Sequence, residues 1–181
     1  MKLLVMCEGP NEKKILDLLL QNNKLIFCED DLLGLTIYHA RQITKSAQVR
    51  TELNQYPGEI KVLRVGDKQS DELKVPKDYI HKITVGEKYC TKPELEILLI
   101  IAEGLMKDYE KVKSKVSPKE FAKTNISYNK KRYDNSTQFY EDYFGNRIQL
   151  LIKSIREYSR IRRKAHEKGE YCLADLLDGN D

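Results

Sequence analysis

The chain has 181 residues, with 40% hydrophobic and 33% charged side chains and a formal net charge of +4. That is enough apolar material for a real core, and it excludes global disorder. The longest apolar stretch, Leu95 to Ala102 interrupted by Glu96, is too short to span a bilayer, and the N-terminus lacks the pattern of a signal peptide, so the expected compartment is the cytoplasm, with no membrane partner. Cys7, Cys28, Cys90 and Cys172 are widely separated and form neither a C-x-x-C pair nor a Cys/His cluster, which points to reduced, mostly buried thiols and gives no support for structural zinc.

In chain order, Lys2 to Cys7 predicts a strand and Pro10 to Gln21 a helix, with Pro10 suited to the first turn and Ile15, Leu18 and Leu19 on one face. Lys24 to Phe27 reads as a second strand, Glu29-Asp30-Asp31 as a loop and Leu35 to Tyr38 as a short extended piece. An amphipathic helix is expected from Arg41 to Asn54, then a Pro57-Gly58 turn and a strand from Ile60 to Val65 that ends at Gly66-Asp67. After a polar loop from Lys68 to Asp78, Ile80 to Val85 reads as a strand. A helix is expected from Thr91 to about Glu110, opened by a Thr91/Glu94 capping box and packed through Leu95 to Ile101. This order predicts an α/β fold with a three-layer sheet.

Beyond Lys111 the sequence turns polar, basic and rich in tyrosine. Short helices are expected at Pro118 to Lys123 and Thr137 to Phe144, and a longer one at Arg147 to Lys168. The expected organisation is therefore an α/β core over residues 1–110 and a basic, mainly helical C-terminal subdomain over 111–181. The long helix carries Arg147, Lys153, Arg156, Arg160, Arg162, Arg163, Lys164 and Lys168 against Glu157 and Glu167, a local excess that suits a polyanionic partner.

Glu8-Gly9 lies where a strand ends and a helix begins, the edge at which open α/β sheets bind ligands. The helix N-terminus favours phosphate, whereas a glutamate at the strand tip repels it. A hard cation between the two resolves the conflict. Asp67 ends its strand as Glu8 ends the first, so parallel neighbours would set these carboxylates side by side, with Asp71, Glu72 and Glu12 within reach of the same crevice. Glu94 is explained by the capping box. Glu96, an acid in an apolar run, must face a site or a solvent window, because an unpaired buried charge costs several kcal/mol. His39, His81 and His166 share no spacing, and Ser/His/Asp chemistry has no support. Lys130, Lys131 and Arg132 beside Tyr133, and the long basic helix with Tyr158, pair cations with aromatics in the manner of nucleic-acid contacts.

The strand ending in Glu8-Gly9, the acid Glu12 three residues after that glycine and the later strand ending at Asp67 together resemble the Toprim fold of topoisomerases, primases and overcoming-lysogenization-defect nucleases, over roughly residues 1–105. The resemblance implies a Toprim-like (Rossmann-like) sheet, with Glu8 as metal ligand or general base and Asp67 at the first position of an Asp-x-Asp motif. The second Asp is missing: Lys68 and Gln69 follow, and Asp71 comes two positions late. The segment "TKPELEILLI" is similar to the His-Pro-Glu-x-Glu region of small Toprim-like bacterial proteins, with Lys92 in place of histidine, and several such relatives are associated with phage defence.

On this basis the expected activity is a nuclease dependent on Mg²⁺ or Mn²⁺. Glu8, Asp67 and Lys92 would be catalytic. Glu8, Glu12, Asp67, Asp71 and Glu96 would form the metal set, and Lys130, Lys131, Arg132, Tyr133, Arg156, Arg160, Arg162 and Arg163 would contact nucleic acid. The alternative is a non-catalytic Toprim-like module that partners a larger ATPase or defence protein, and a small-molecule phosphohydrolase is a third reading.

Overall fold

The computed structural model describes residues 1–67, 72–165 and 169–179. Strands β1 (Lys2–Cys7), β2 (Tyr38–His39), β3 (Ile60–Gly66), β4 (Ile83–Cys90) and β7 (Glu170–Cys172) form one sheet in the order β2-β1-β3-β4-β7, and every pairing is parallel. A separate antiparallel hairpin pairs β5 (Ser127–Tyr128) with β6 (Lys131–Arg132). The helices are α1 (Pro10–Gln21), α2 (Ala47–Gln55), α3 (Ile97–Ala102), α4 (Met106–Val112), α5 (Pro118–Asn125), α6 (Thr137–Phe144) and α7 (Ile148–Arg162).

Alternation along β1 and β3 explains the layering. Val5, Cys7, Leu63 and Val65 face one core with Ile15 and Leu19 of α1, Leu99 of α3, Phe144 of α6 and Ile155 of α7. Leu4, Met6, Ile60 and Val62 face the other, with Val49 and Leu53 of α2 and Leu73 and Tyr79 of the β3–β4 connection. A sheet buried on both faces needs apolar residues at nearly every position, which is how β1 and β3 read. The result is the expected α/β architecture, a Rossmann-like parallel sheet flanked by helices. Residues on both sides of Lys111 contribute to the first core, and β7 from the C-terminal end joins the sheet.

Several sequence expectations are corrected. Lys24 to Phe27 forms no strand. Leu25 makes one isolated bridge to Leu177, with Ile26 N–H donating to Leu176 O at 2.9 Å, so the segment pairs with the C-terminal tail instead of the sheet. The extended piece sits at Tyr38–His39, behind a 3-10 turn over Leu33–Leu35. The second helix starts later than Arg41, at Ala47, because the Ser46 hydroxyl caps it by accepting from Val49 N–H at 3.2 Å.

β4 lies at Ile83–Cys90 and not at Ile80 to Val85. Ile80 is exposed, and the polar Glu87-Lys88 pair hid the strand. An extra β4 residue shifts the register between Val62 and Arg64, and Gly86 is needed there because a Cβ would meet Val62 O at 2.8 Å. The expected Thr91 to Glu110 helix is two helices, α3 and α4, separated at Gly104, whose φ of +71° ends the first. Its capping box does not form: Thr91 N–H continues the sheet to Gly66 O, and Glu94 caps α5 instead by accepting from Lys119 N–H at 2.9 Å. The basic helix spans Ile148–Arg162, followed by a 3-10 turn over Arg163–Ala165.

Candidate active site

The two halves of the sheet diverge at β1 and β3. β1 leads through α1 to β2 on one side, and β3 leads to β4 on the other. α1 packs on one face of the sheet, whereas the β3–β4 connection, through Leu73 and Tyr79, packs on the opposite face. A crevice must therefore open between the C-terminal ends of β1 and β3, the ligand-binding position of open α/β sheets.

Glu8 and Asp67 lie at those two ends. Cys7 pairs with Val65, so Glu8 stands beside Gly66, and Asp67 follows one residue on. Glu8 is 8% exposed, and its N–H donates to Val65 O at 2.9 Å. Its side chain lies so close over Gly66 that a Cβ there would collide with Glu8 Oε2 and meet Cγ at 2.6 Å. Glycine at position 66 thus gives the carboxylate its place, a reason for the glycine that Gly-Asp as a turn signal did not supply.

A cleft of about 200 Å³ at this point is lined by Glu8, Glu12, Asp67, Glu94 and Glu96, by the cations Arg41 and Lys119, and by Asn11 and Asn135. Glu12 comes from the first turn of α1 and folds back toward Gly9, where a Cβ would meet its Oε2 at 2.5 Å. Glu96 precedes α3 and is 3% exposed. Its Oε1 accepts from Tyr133 O–H at 2.7 Å and lies 3.8 Å from Lys119 Nζ. Arg41 Nε donates to Glu8 O at 3.5 Å.

Five carboxylates against two cations make the cleft strongly acidic. The charge shows on Glu12: burial first, then the nearby Asp67, Glu96 and Glu8, push its carboxyl from 4.5 up to about 7, against the pull of its own backbone N–H. Acids crowded and shifted in a cleft are enriched at functional sites.

The cleft thus brings together Glu8, Glu12, Asp67 and Glu96 of the expected residues. Asp71 lies outside the described residues, as do Lys68, Gln69 and His166. Lys92 does not line the cleft. It is ion-paired with Glu170 of β7 at 2.6 Å, and its carbonyl accepts from Tyr158 O–H at 2.8 Å. Lys119 occupies the place that Lys92 was expected to fill. It was missed because its position depends on how α5 docks on α3, which no local pattern reports; Arg41, on the turn after β2, was missed for the same kind of reason.

Tyr133 and Tyr158 are 2% and 1% exposed, so neither ring is open to stack on a base. Arg160 is spent on a bidentate pair with Glu157 at 2.7 Å, Arg163 pairs with Asp175 at 2.6 Å, and Arg162 stands 3.7 Å from Glu110. Arg156 lines a separate hollow of about 530 Å³ between α3 and α7, remote in character from the acidic cleft because its ionic lining is mainly basic. His39 and His81 are exposed and outside the cleft.

By the chemistry of its donors the cleft fits a hard divalent cation, since it offers carboxylate oxygens in excess of positive charge. Among the described residues, however, no three of the His, Cys, Asp and Glu side chains are arranged to hold one ion. No family model, curated protein sequence or solved structure matches this chain significantly. Among the described residues, no helix is long and apolar enough to cross a membrane.

Proposed function

We propose that the chain is a Toprim-like, metal-dependent enzyme that cleaves phosphodiester bonds in nucleic acid, with a role in phage defence suggested only by the resemblance of its sequence motifs. The observation that carries the reading is the convergence of Glu8, Glu12, Asp67 and Glu96 in one cleft at the divergence of the sheet. Glu8 and Asp67 would hold Mg²⁺ or Mn²⁺, with Asp71 as a further candidate outside the described residues. A divalent cation bound there supplies neutralisation of the phosphate charge and a more acidic water.

The protein's own groups supply the rest. Lys119 and Arg41, at the rim of the cleft, attract the phosphate and offset the charge that builds on its oxygens. Glu12, whose carboxyl is pushed up to about 7 by burial and neighbouring acids in the metal-free protein, lies in the same cleft and is placed to carry a proton to or from a reacting oxygen.

One observation favours a second reading, a non-catalytic module that partners a larger ATPase or defence protein: the described carboxylates do not form a three-ligand set. Incubation of labelled oligonucleotides with the protein in Mn²⁺, Mg²⁺ or EDTA separates the two. The nuclease reading expects cleavage with either ion and none in EDTA. Cleavage of nothing under any condition would leave the binding module.

A further inference from the structure

The β5–β6 hairpin is two residues deep on each strand, with Ser127 opposite Arg132 and Tyr128 opposite Lys131. At its tip both central residues have positive φ, Asn129 at 48° and Lys130 at 65°. A tight hairpin turn of this kind requires φ > 0 at both positions and favours Asn-Gly. Asn129 meets the requirement, but Lys130 occupies the glycine position at a conformational cost. Strain of this sort suggests that the side chain there has a use.

The hairpin displays Lys130, Lys131 and Arg132, all exposed. Lys131 has Asp134 at 3.3 Å, whereas among the described residues Lys130 and Arg132 have no ion-pair partner. The contrast with Arg160, Arg162 and Arg163 of the long basic segment is direct, since each of those meets a carboxylate.

The base of the hairpin is fixed at two points. Arg147 lies over the rings of both Tyr128 and Tyr143, 4.3 and 4.1 Å from their centroids. Tyr133, the residue after Arg132, donates its hydroxyl to Glu96 Oε1 in the cleft and stands 3.0 Å from Asn135 Oδ1 and 3.2 Å from Tyr140 O–H. Asn135 lines the cleft and accepts from Asn11 Nδ2 of α1 at 3.2 Å. Three residues of chain span at most about 11 Å, so Arg132 cannot be farther than that from the cleft-lining Asn135.

We propose that this hairpin is the nucleic-acid grip of the protein, binding the backbone of a single strand through Lys130 and Arg132, and that Tyr133 is the positioning residue that holds it at the mouth of the cleft through Glu96. The inference rests on the nuclease reading for the identity of the polyanion. A cleft of about 200 Å³ admits a phosphate and its nearest atoms, which a flexible single strand can present more readily than a rigid duplex. Tyr133 thus acts as an anchor and not as a base-stacking platform.

Fluorescence anisotropy of labelled oligothymidylate, titrated in EDTA over a series of salt concentrations, tests this without involving metal or cleavage. A combined Lys130→Ala and Arg132→Ala variant is expected to flatten the slope of log affinity against log salt by about 1.4, from roughly 0.7 per phosphate contact on a single strand. Lys130→Gly relieves the strained φ, so it is expected to melt no lower than wild type while flattening the slope by about 0.7. Tyr133→Phe keeps both cations and is expected to weaken binding several-fold with the slope unchanged, a split that a merely unfolded protein would not give.

Wild-type slopes in the lysine and arginine variants, wild-type affinity in Tyr133→Phe, binding of duplex in preference to the single strand, or no binding of the oligonucleotide by wild type would each overturn the proposal. Since EDTA is present throughout, such a failure is distinct from failure of the metal-dependent reading, which the Mn²⁺ and Mg²⁺ incubations address.

Discussion

Glu8→Ala is expected to lower Mn²⁺-dependent cleavage of an oligonucleotide by at least about 100-fold, the upper end of what removal of a mere supporting partner costs a metal site. The expectation follows from position. Glu8 stands at the tip of β1, with its backbone tied to Val65 and its side chain set against Gly66. Truncation to alanine leaves the strand pairing intact, since that pairing uses backbone groups alone. Circular dichroism and a melting curve should therefore show a folded protein, and initial cleavage rates at matched concentrations give the comparison. A folded Glu8→Ala protein that cleaves at the wild-type rate would remove Glu8 from the reaction.

The second large effect concerns stability and its pH dependence. The Glu12 carboxyl is raised from 4.5 to about 7 by burial and by Asp67, Glu96 and Glu8. Its folded-state value lies above its unfolded one, so the folded state binds the extra proton between these limits. The stabilising contribution is complete below about pH 4.5 and is lost as pH rises through about 7. Above that pH the ionised carboxylate costs up to about 3 kcal/mol by the linkage relation, reduced to about 2 kcal/mol by the solvent that reaches a partly exposed side chain.

Glu12→Gln removes that cost. The variant is expected to exceed wild type in urea-unfolding free energy by about 2 kcal/mol near pH 8, with the gain shrinking toward zero near pH 5. Equal stability of the two proteins at both pH values would show that the carboxylates do not crowd one another as described. Mn²⁺ should narrow the gap near pH 8, because a cation on Glu8 and Asp67 favours the ionised Glu12 carboxylate beside it, an attraction that Glu12→Gln lacks.

Much of this arrangement is legible in the sequence, and the pattern of success has a physical basis. β1, α1, β3 and α6 were readable because each is decided locally. The first and third are apolar runs buried on both faces, α1 has Pro10 at its start, and α6 follows the Ser136 cap, whose hydroxyl accepts from Phe139 N–H. Glu8 and Asp67 were legible for the same reason, as acids at the exits of the two clearest strands. Glu96 was legible as an acid in an apolar run with two possible explanations, and its burial in the cleft selects between them.

What was not legible depends on contacts distant in sequence. β4 carries polar residues because the first half of the strand has β3 on one side only, with β7 pairing from Lys88 onward. β7 itself is three residues long and has no pattern of its own. Glu94 followed a capping rule that the sheet overrode, since Thr91 N–H was already committed to Gly66 O. The aromatic partners suggested beside the basic residues were core residues instead. Tyr133 and Tyr158 each carry a hydroxyl that finds an acceptor inside, so the same residue type that stacks on bases also serves as a buried hydrogen-bonding wedge.

Glu8 and Asp67, brought together at the divergence of β1 and β3, are expected to bind a divalent cation. Isothermal titration of Mn²⁺ into wild type, Glu8→Ala and Asp67→Ala reads it most directly. Wild type is expected to give a saturable heat, and either substitution to reduce the affinity at least tenfold. Saturable heat that survives both substitutions, or none in wild type, would contradict it.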